Sequence, residues 1–527
     1  MKITKQKSLL FFLITFSIYC ALNLGLTWDE DFLIYTQGKR TADYLLSLGS
    51  INQEIFRGEF YSPIYYTIKY ILINIFPLEF RVEVSYLINL FFSFLVILGI
   101  KKICAFLFNK DVGKIVFLIL FFYPAFFGHM AFNSKDTIVA LAHVWILYLL
   151  IDYIKKGNDN KKSVNNLYLV SLLAALGSGI NLFFLGSLLP VVIIILSDIF
   201  IFKKIVNKSF NYKKLSFDVL KSFFLFYAIL LLFWIDTHPN LLTFPIKIFS
   251  DWAFGDLFRG YPFILFNEDH YIIADTPKSY LILNILLRSP EYFLLSYFIF
   301  IIISLSTNYF VKSFKNFYYK LFIVLFLVIN PFIILYIAPF SIYDGLRHVL
   351  WLLPYLCIIP ALTIYYLFKN FNYFLSKFSS VIMLLLIVYF LFNFFRLTPY
   401  QYTYLNIFNG NNKNFDKKFE NDYWGSSIQE LIKKINFDKK TKFTYSVCGV
   451  NSGVVKIYLK KEGFINSVME AENNAQFIFM TNRAIKKDPR GKYHSKNVTN
   501  CYIQYKGKNI FQVKRNGVNL SVIRKIN

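Results

Sequence analysis

The sequence has few acidic residues, few cysteines and no recognisable nucleotide-binding loop. Its 31 Asp and Glu stand against 57 Lys and Arg, for a formal net charge of +26 over 527 residues. The five cysteines form no Cys-x-x-Cys pair, which excludes a zinc site of that type. Neither a Gly-x-Gly-x-x-Gly loop nor a Walker-type loop is present, so the chain offers no nucleotide-binding fold of these kinds.

Apolar and aromatic residues are what the sequence has in excess. Hydrophobic residues make up 56% of the chain and aromatic residues 20%, whereas a soluble globular chain is about 45–50% apolar. A membrane-spanning helix needs about 20 apolar residues, and the chain is therefore predicted to be a polytopic α-helical membrane protein without a long internal repeat. The eleven predicted spans are residues 8–26, 82–100, 114–128, 137–154, 166–180, 182–202, 216–235, 281–305, 319–338, 348–368 and 379–396.

The short basic loops between these spans predict the orientation of the chain. Lysines recur in every alternate loop of residues 1–396, which places those loops and the N-terminus in the cytoplasm. The basic excess of this region therefore reflects topology and not nucleic-acid binding. No small-x-small cleavage motif stands near residue 26, so the first span is interpreted as an uncleaved helix. The loops predicted to face outward are residues 27–81, 129–136, 236–280 and 339–347.

Residues 397–527 contain no predicted span and are expected to form a small extracytoplasmic α/β domain. Cys448 and Cys501 lie in this domain. An oxidising compartment permits a disulfide between them, and two separate buried thiols are the alternative. Strands are predicted at residues 443–447, 476–480, 501–505 and 510–514, and helices at residues 425–435 and 453–461.

The first outward loop begins with three carboxylates, Asp29, Glu30 and Asp31, directly after the first apolar run. The cytoplasmic lysines already determine the orientation of the first helix, so a stop signal does not require this acidic group. Asp31 is interpreted as a solvated neighbour of the other two. The loop continues through residues 36–48 and 62–76, which predict helices lying in the membrane interface.

The second outward loop carries His129, Lys135 and Asp136 at the start of the span 137–154. An ionisable side chain at a membrane boundary is costly and indicates a functional site. An Asp at a helix start also caps the helix and interacts favourably with its dipole. Both interpretations of Asp136 remain open on the sequence.

The fourth outward loop ends in Tyr343, Asp344, Arg347 and His348. The planar fork of Arg347 is suited to holding a phosphate, although an arginine at the interface also snorkels toward lipid headgroups. Lys278, at the end of the long third loop, is a further candidate for a phosphate contact, with a solvated lysine as the alternative.

Carboxylates and cations on one face of the membrane suit attack on a lipid-linked sugar. A carboxylate takes the proton from the acceptor as it attacks the anomeric carbon, and cations offset the charge that grows on the departing lipid phosphate. Asp29 is the predicted general base and Glu30 the residue that positions it or the acceptor, with Asp136 as a second carboxylate. Arg347, His348 and Lys278 are the predicted phosphate ligands.

The order of these motifs resembles the GT-C membrane glycosyltransferases, in particular the protein O-mannosyltransferases and the bacterial aminoarabinose lipid A transferases. In these families an acidic pair closes the first span, where Asp29 and Glu30 stand here, and an acidic residue in the second outward loop corresponds to Asp136. Other matching segments are residues 62–76, 133–136, 343–348, 399–406 and 422–425.

The resemblance implies a GT-C helix bundle, a polyprenyl-phosphate-linked sugar as donor and inversion at the anomeric carbon. Catalysis would then occur at the periplasmic face of a bacterial inner membrane, on a lipid, glycan or protein acceptor, without nucleic acid. Some members bind a divalent metal, which this sequence leaves open. The chain departs from the family in having no Lys at Tyr61-Ser62-Pro63 and no recognisable β-trefoil in its C-terminal domain.

Three alternatives remain beside a glycosyltransferase. A polysaccharide polymerase or ligase differs in using a diphosphate-linked donor. A transporter or flippase also carries intramembrane charges, but such folds commonly contain internal repeats and broken helices near the bilayer midplane. A structural assembly protein explains the C-terminal domain but gives no role to the acidic loop motifs.

Overall fold

The computed structural model describes residues 2–50, 62–254, 261–337, 342–410 and 415–526. Helices dominate up to Arg396, and most of the β-structure follows it. The helices are α1 (Lys2–Leu22), α2 (Trp28–Phe32), α3 (Lys39–Leu46), α4 (Ile64–Ile73), α5 (Arg81–Leu107), α6 (Lys110–Phe121), α7 (Pro124–His129), α8 (Asp136–Lys156), α9 (Lys161–Ile180), α10 (Phe183–Ser187), α11 (Leu189–Ser197), α12 (Tyr212–Phe233), α13 (Thr243–Phe254), α14 (Tyr280–Arg288), α15 (Glu291–Ser306), α16 (Tyr309–Ser313), α17 (Phe317–Ile337), α18 (Leu353–Leu356), α19 (Ile358–Lys369), α20 (Phe374–Arg396), α21 (Phe415–Lys418), α22 (Ile428–Lys433), α23 (Ser452–Lys461) and α24 (Cys501–Gln504).

Eight helical segments in the described ranges are long and apolar enough to cross a bilayer. A ninth span results if α14 and α15, which meet at 105°, are counted together. The predicted class, a polytopic helical membrane protein, is therefore confirmed. The eight segments are Lys5–Leu22, Leu78–Leu107, Asp136–Lys156, Lys161–Ile180, Phe184–Phe202, Tyr212–Phe233, Phe317–Ile337 and Phe374–Arg396.

Three predicted spans are not continuous helices. Residues 114–128 divide between α6 and α7, and residues 348–368 contain α18 and α19. A helix of 12 residues such as α6 is about 18 Å long and falls short of a hydrocarbon core about 30 Å thick. Residues 281–305 bend between α14 and α15 because Pro290 has no backbone N–H to continue the helical ladder.

The helices predicted for the first outward loop are present as α3 and α4. Helix α4 buries Tyr65, Tyr66 and Lys69 and exposes Ile68 and Ile71. One side of this short helix therefore packs on the protein while apolar residues on its other side remain exposed, as expected for a helix at the membrane interface.

The C-terminal region contains a five-stranded mixed sheet. Strand β3 runs parallel to both β4 and β5, whereas β9 pairs antiparallel with β5 and β8. The order across the sheet is β4-β3-β5-β9-β8. The predicted α/β character is therefore confirmed. The strands are β3 (Phe443–Cys448), β4 (Ser467–Met469), β5 (Phe477–Thr481), β8 (Asn509–Arg515) and β9 (Val518–Lys525).

Residues 501–505, predicted as a strand, begin instead with the short helix α24. The Asn500 side chain accepts a hydrogen bond from the Ile503 N–H and so caps the first turn. Cys501, the first residue of this helix, is joined to Cys448 at the end of β3 by a disulfide. The disulfide that the sequence left open is therefore present.

A hairpin from the third outward loop packs on the C-terminal domain. Its strands β1 (Phe263–Phe266) and β2 (Asp269–Ile272) lie against a second small sheet of β6 (Ala484–Lys486) and β7 (Val498–Asn500). The Tyr261 hydroxyl donates to the Ala484 carbonyl at 2.6 Å.

The segment that joins α1 to α2 also contacts the C-terminal domain. The Gly25 N–H donates to the Ser426 carbonyl at 2.9 Å, and the Leu26 N–H donates to the Tyr458 hydroxyl at 2.6 Å. One continuous cluster of buried apolar side chains extends from Leu13 in α1 to Ile523 in β9. The C-terminal domain is thus packed directly onto the ends of the helices that carry the acidic loops.

Candidate active site

Asp29 and Arg347 form the centre of the candidate site. Asp29 lies in α2, and Arg347 opens the 3-10 turn Arg347–Val349 ahead of α18. An Nη1 hydrogen of Arg347 is donated to Oδ2 of Asp29 at 3.3 Å. The Asp29 side chain is 33% exposed, whereas that of Arg347 is 4% exposed. A reachable carboxylate therefore stands beside a buried cation.

Glu30, the next residue, is fully enclosed and saturated with hydrogen bonds. Its Oε2 lies 2.6 Å from Nζ of Lys69 and 3.2 Å from Oγ of Ser85. Its Oε1 accepts from the backbone N–H and the hydroxyl of Ser134. Four donors thus hold this carboxylate between α2, α4, α5 and the second outward loop. The predicted acidic pair therefore divides into one accessible carboxylate and one enclosed carboxylate.

Lys69 is a charged residue that the sequence-based reasoning missed. The aminoarabinose lipid A transferases have a lysine at the place of Tyr61-Ser62-Pro63, whereas Lys69 lies further along the chain, in α4. Its side chain is 0% exposed and pairs with Glu30. The sequence signal that could have identified Lys69 is its place as a single lysine within α4, an otherwise apolar helix. Because the pair is enclosed, Lys69 neutralises Glu30 and is not open to a ligand.

Arg347 is stacked between two aromatic rings. Its guanidinium carbon lies 4.7 Å from the ring centre of Tyr343 and 4.8 Å from that of Trp424. Its Nε is 3.4 Å from Oδ2 of Asp344 and 3.3 Å from Nε2 of His348. Within the described ranges, its Nη2 group makes no hydrogen bond. The ion pairs and the two rings therefore hold the fork, and its Nη2 group is not committed to a hydrogen bond with the described residues.

Asp136 lies in the same charged group as Asp29 and Arg347. Its carboxylate accepts from Nδ2 of Asn133 at 2.9 Å, and its own N–H donates to Oδ1 of Asn133 at the same distance. It interacts electrostatically with Arg347, Lys135 and Asp29. The reciprocal bonds with Asn133 stabilise the start of α8, so the helix-terminal interpretation and the charged-site interpretation are both compatible with this geometry.

His129 lies among the rings of Phe132, Tyr402, Tyr423 and Trp424, an aromatic box beside the charged group. Its Nε2 is 2.7 Å from the Tyr423 hydroxyl, and its Nδ1 is 3.2 Å from Nδ2 of Asn133. Burial, together with the positive charges of Arg347 and Arg288, lowers the pKa of His129 well below its ordinary value. His129 is therefore neutral, and its hydrogen bonds link it to Tyr423 and Asn133.

The remaining predicted residues differ in their distance from Arg347. Asp344 and Tyr343 contact it directly, and His348 stacks edge-on against Tyr343 with ring centres 4.6 Å apart. Lys135 is half-buried beside Asp136 and interacts with it electrostatically. Lys278 is exposed and lies over the Tyr336 ring at 4.4 Å, so no contact described here joins it to Arg347.

Residues of the C-terminal region complete the site, and the sequence-based reasoning assigned them no role. The Trp424 indole N–H donates to Oδ2 of Asp344 at 3.0 Å. Nη2 of Arg483 lies 3.3 Å from Oδ1 of the same carboxylate. Glu420 is buried next to Arg483 and accepts from the Ala484 N–H at 2.8 Å. Trp424 lies within residues 422–425, one of the segments in which the sequence resembles the GT-C glycosyltransferases, but Arg483 carried no signal of its own.

These contacts give an alternating chain of charges across the site. It runs from Asp29 through Arg347 and Asp344 to Arg483, which lies beside the buried carboxyl group of Glu420. Each buried cation thus lies next to a charged carboxylate, which offsets the cost of taking the charges out of water. The end of the chain at Asp29 is the end that opens to solvent.

The described residues do not contain a metal centre. In the described ranges, no group of three or more His, Cys, Asp or Glu side chains is placed to hold a metal ion. The two carboxylates nearest Arg347, on Asp29 and Asp344, already face that cation. The donor set present here therefore does not fit a divalent ion, and no catalytic step is assigned to one.

Glu420 is expected to make the folded protein less stable as the pH rises. Burial raises the pKa of its carboxyl from 4.5 to about 8, with Arg483 opposing the shift and Asp344 adding to it. Between about pH 5 and 8 the folded state therefore binds one proton more than the unfolded state, and the free energy of unfolding falls as pH rises through this window. Thermal unfolding from pH 5 to 9 should show a steeper loss for the wild type than for Glu420→Gln. Equal slopes would contradict this assignment.

No protein family and no curated protein matches the sequence. Among solved structures, ArnT from Cupriavidus metallidurans in the apo state superposes with a TM-score of 0.51 at 11% identity, over 99% of this chain and 98% of that chain. The chain therefore has the fold of that membrane protein, a GT-C fold.

Two further structures have TM-scores of 0.48, and no conclusion rests on them. One is ArnT from Cupriavidus metallidurans bound to undecaprenyl phosphate, at 11% identity over 98% of this chain and 97% of that chain. The other is the archaeal oligosaccharyltransferase AglB from Archaeoglobus fulgidus in complex with an inhibitory peptide and a dolichol-phosphate, at 11% identity over 89% and 69%.

Proposed function

We propose that this protein is an integral-membrane glycosyltransferase that moves a sugar from a polyprenyl-phosphate donor to a lipid, glycan or protein acceptor. The observation that carries the proposal is the pair formed by the partly exposed Asp29 carboxylate and the buried Arg347 guanidinium, 3.3 Å apart. A base for the acceptor and a cation for the leaving phosphate then stand side by side, on a fold shared with ArnT.

Asp29 acts as the general base. The acceptor oxygen or nitrogen attacks the anomeric carbon of the donor sugar, and its proton passes to the Asp29 carboxylate. The bond between the anomeric carbon and the phosphate oxygen breaks, and its electron pair remains on that oxygen. A single displacement of this kind inverts the anomeric configuration. Asp29 suits the role because it is the partly exposed carboxylate at the open end of the charged chain.

Arg347 holds the phosphate of the donor. Its planar guanidinium matches phosphate oxygens with directed hydrogen bonds, and it stays charged throughout the reaction. The two flanking rings and the bonds to Asp29 and Asp344 fix its orientation before the donor arrives. Cations aimed in advance at a developing negative charge lower the barrier because they need no reorganisation. His348 extends the same phosphate-binding surface, and Lys278 remains a more distant contributor.

Glu30 and Asp136 support the reacting groups. Glu30, with its four donors, ties α2 to α4, α5 and the second outward loop and thereby fixes the backbone that carries Asp29. Asp136 contributes a second carboxylate near Arg347 for orienting the acceptor. The positive-inside pattern supports an orientation in which this face of the chain lies outside the cytoplasm, and we propose that it works at the periplasmic surface of a bacterial inner membrane.

Turnover of defined donors tests the proposal. Purified full-length protein is incubated with a panel of radiolabelled polyprenyl-phosphate sugars and a membrane-lipid or glycan extract as acceptor. We expect release of polyprenyl phosphate in step with transfer of the label to a new product. A sample of denatured protein and a reaction without acceptor extract provide the controls.

Two outcomes would overturn the proposal, and each would identify a different class of protein. Movement of an intact lipid-linked sugar across proteoliposomes, without release of polyprenyl phosphate, would identify a transporter. Turnover of diphosphate-linked donors alone would identify a polymerase or ligase.

A further inference from the structure

Three side chains surround the carboxylate of Asp344, and two of them, Trp424 and Arg483, come from the C-terminal domain. Nε of Arg347 lies 3.4 Å from Oδ2, and the Trp424 indole N–H donates to the same oxygen at 3.0 Å. Arg483 covers the other oxygen, with Nη2 at 3.3 Å from Oδ1. The Asp344 side chain is 1% exposed. This enclosed carboxylate is therefore the junction between the membrane part of the site and the C-terminal domain.

The Arg483 side chain is buried and contacts only protein groups among the described residues. It lies between β5 and β6 and is 4% exposed. An Nη1 hydrogen is donated to the Tyr423 carbonyl, and the guanidinium carbon is 3.8 Å from the ring centre of Tyr261. Asp344 supplies its compensating charge, and the carboxyl group of Glu420 lies nearby. A buried charge is retained only with such partners, because removing one partner leaves the other uncompensated.

Arg347 is shared between two carboxylates, and one of them, on Asp344, also faces Arg483. Arg347 now lies at nearly equal distances from Asp29, at 3.3 Å, and Asp344, at 3.4 Å. Without Arg483, Asp344 would lose the cation at its Oδ1 and would attract Arg347 more strongly. The guanidinium would then turn away from Asp29 and from the position of the donor phosphate, because nearby opposite charges dominate the energetics of a buried site.

We infer that Arg483 is a positioning residue of the active site, which acts through Asp344 to hold the Arg347 fork where the lipid phosphate binds. The C-terminal domain is then part of the catalytic apparatus and not only an attached module. This inference rests on the proposed function, since it concerns the phosphate that Arg347 is proposed to hold.

The test compares two arginines of the C-terminal domain that each pair with a carboxylate in another segment of the chain. Arg515 provides the matched control. It pairs with Glu430 at 2.5 Å, donates to the Thr398 carbonyl at 2.8 Å and lies 5.0 Å from the Tyr400 ring centre, without contacting Asp344. Arg483→Gln and Arg515→Gln therefore remove the same charge and a similar set of contacts between segments.

Binding of a polyprenyl phosphate in nanodiscs and the donor KM and kcat are measured for each variant, with thermal unfolding as a check of folding. We expect Arg483→Gln to raise the Kd and the donor KM by about tenfold and to lower kcat less, whereas Arg515→Gln changes both by less than about threefold. Arg483→Lys should recover part of the loss, because an ammonium keeps the charge beside Asp344 but lacks the fork that also reaches the Tyr423 carbonyl.

The outcomes separate this inference from the proposed function. If the wild type neither binds polyprenyl phosphate nor releases it from a donor, the proposed function fails and the inference falls with it. If the wild type turns over but Arg483→Gln and Arg515→Gln have equal effects on the donor KM, the inference alone is overturned. Should Arg483→Gln not fold, Arg483→Lys decides: an unchanged Kd and KM in a folded Lys variant would also overturn it.

Discussion

Replacing Asp29 by Asn should lower sugar transfer by about 10²- to 10⁴-fold, the usual contribution of a general base. The Asn side chain has nearly the same shape and still offers an oxygen to Arg347, which now contacts Asp29 at 3.3 Å. It cannot accept the proton of the acceptor. The loss should therefore appear in kcat, measured as release of polyprenyl phosphate, while membrane insertion and yield stay unchanged.

Asp269 offers a matched control for this substitution. It lies in strand β2 of the third outward loop, is exposed and accepts a hydrogen bond from the Tyr271 hydroxyl at 3.2 Å. Asp269→Asn should turn over at close to the wild-type rate. Wild-type turnover in Asp29→Asn would remove Asp29 as the base, and loss of activity in both variants would point to a general effect of charge on this face.

The second large effect is expected from Lys69→Met, which should lower the free energy of unfolding by about 3–5 kcal/mol. Lys69 is the cation that Glu30 faces, at 2.6 Å, and both side chains are enclosed. Met fills a similar volume but leaves a buried carboxylate supported only by Ser85 and Ser134. Thermal or denaturant unfolding of the detergent-solubilised protein measures the change.

Two further variants define the origin of that loss. Adding Glu30→Gln to Lys69→Met removes the stranded charge and should recover much of the stability, since a neutral amide needs no cation. Lys461→Met serves as the comparison, because the Lys461 and Glu83 side chains form an ion pair at 3.5 Å while remaining 50% and 29% exposed. An exposed pair contributes about 0–1 kcal/mol. Equal effects of Lys69→Met and Lys461→Met would contradict the role of the buried pair.

Hydrophobic length predicted most of the membrane architecture. Eight of the described helices meet the requirement of a span, and a bent pair adds a ninth. The predicted spans 114–128 and 348–368 show where composition is insufficient, because an apolar stretch looks the same whether it forms one long helix or two short ones. The bend between α14 and α15 depends on Pro290, which has no backbone N–H. This proline can be read directly from the sequence.

Charged residues at the membrane boundary predicted the location of the candidate site, but not the state of each residue. Asp29 and Glu30 are neighbours in the sequence and both carry a carboxylate. One is partly exposed beside Arg347, and the other is enclosed by Lys69, Ser85 and Ser134. Adjacent residues on a short helix face different surroundings. Only those surroundings distinguish a candidate base, Asp29, from a carboxylate that holds helices together, Glu30.

The sequence by itself determined the membrane class of the protein, the order of its acidic and basic loop motifs and the α/β character of its C-terminal domain. These properties depend on local composition and on residues close together in the chain. Tertiary structure alone decided that Arg483 meets Asp344, that Trp424 covers Arg347 and that Lys69 neutralises Glu30. The partners in these pairs are 39 to 139 residues apart in the chain. A buried charge is stabilised by groups that lie close to it in space. Because those groups are distant in the sequence, no local sequence pattern predicts them.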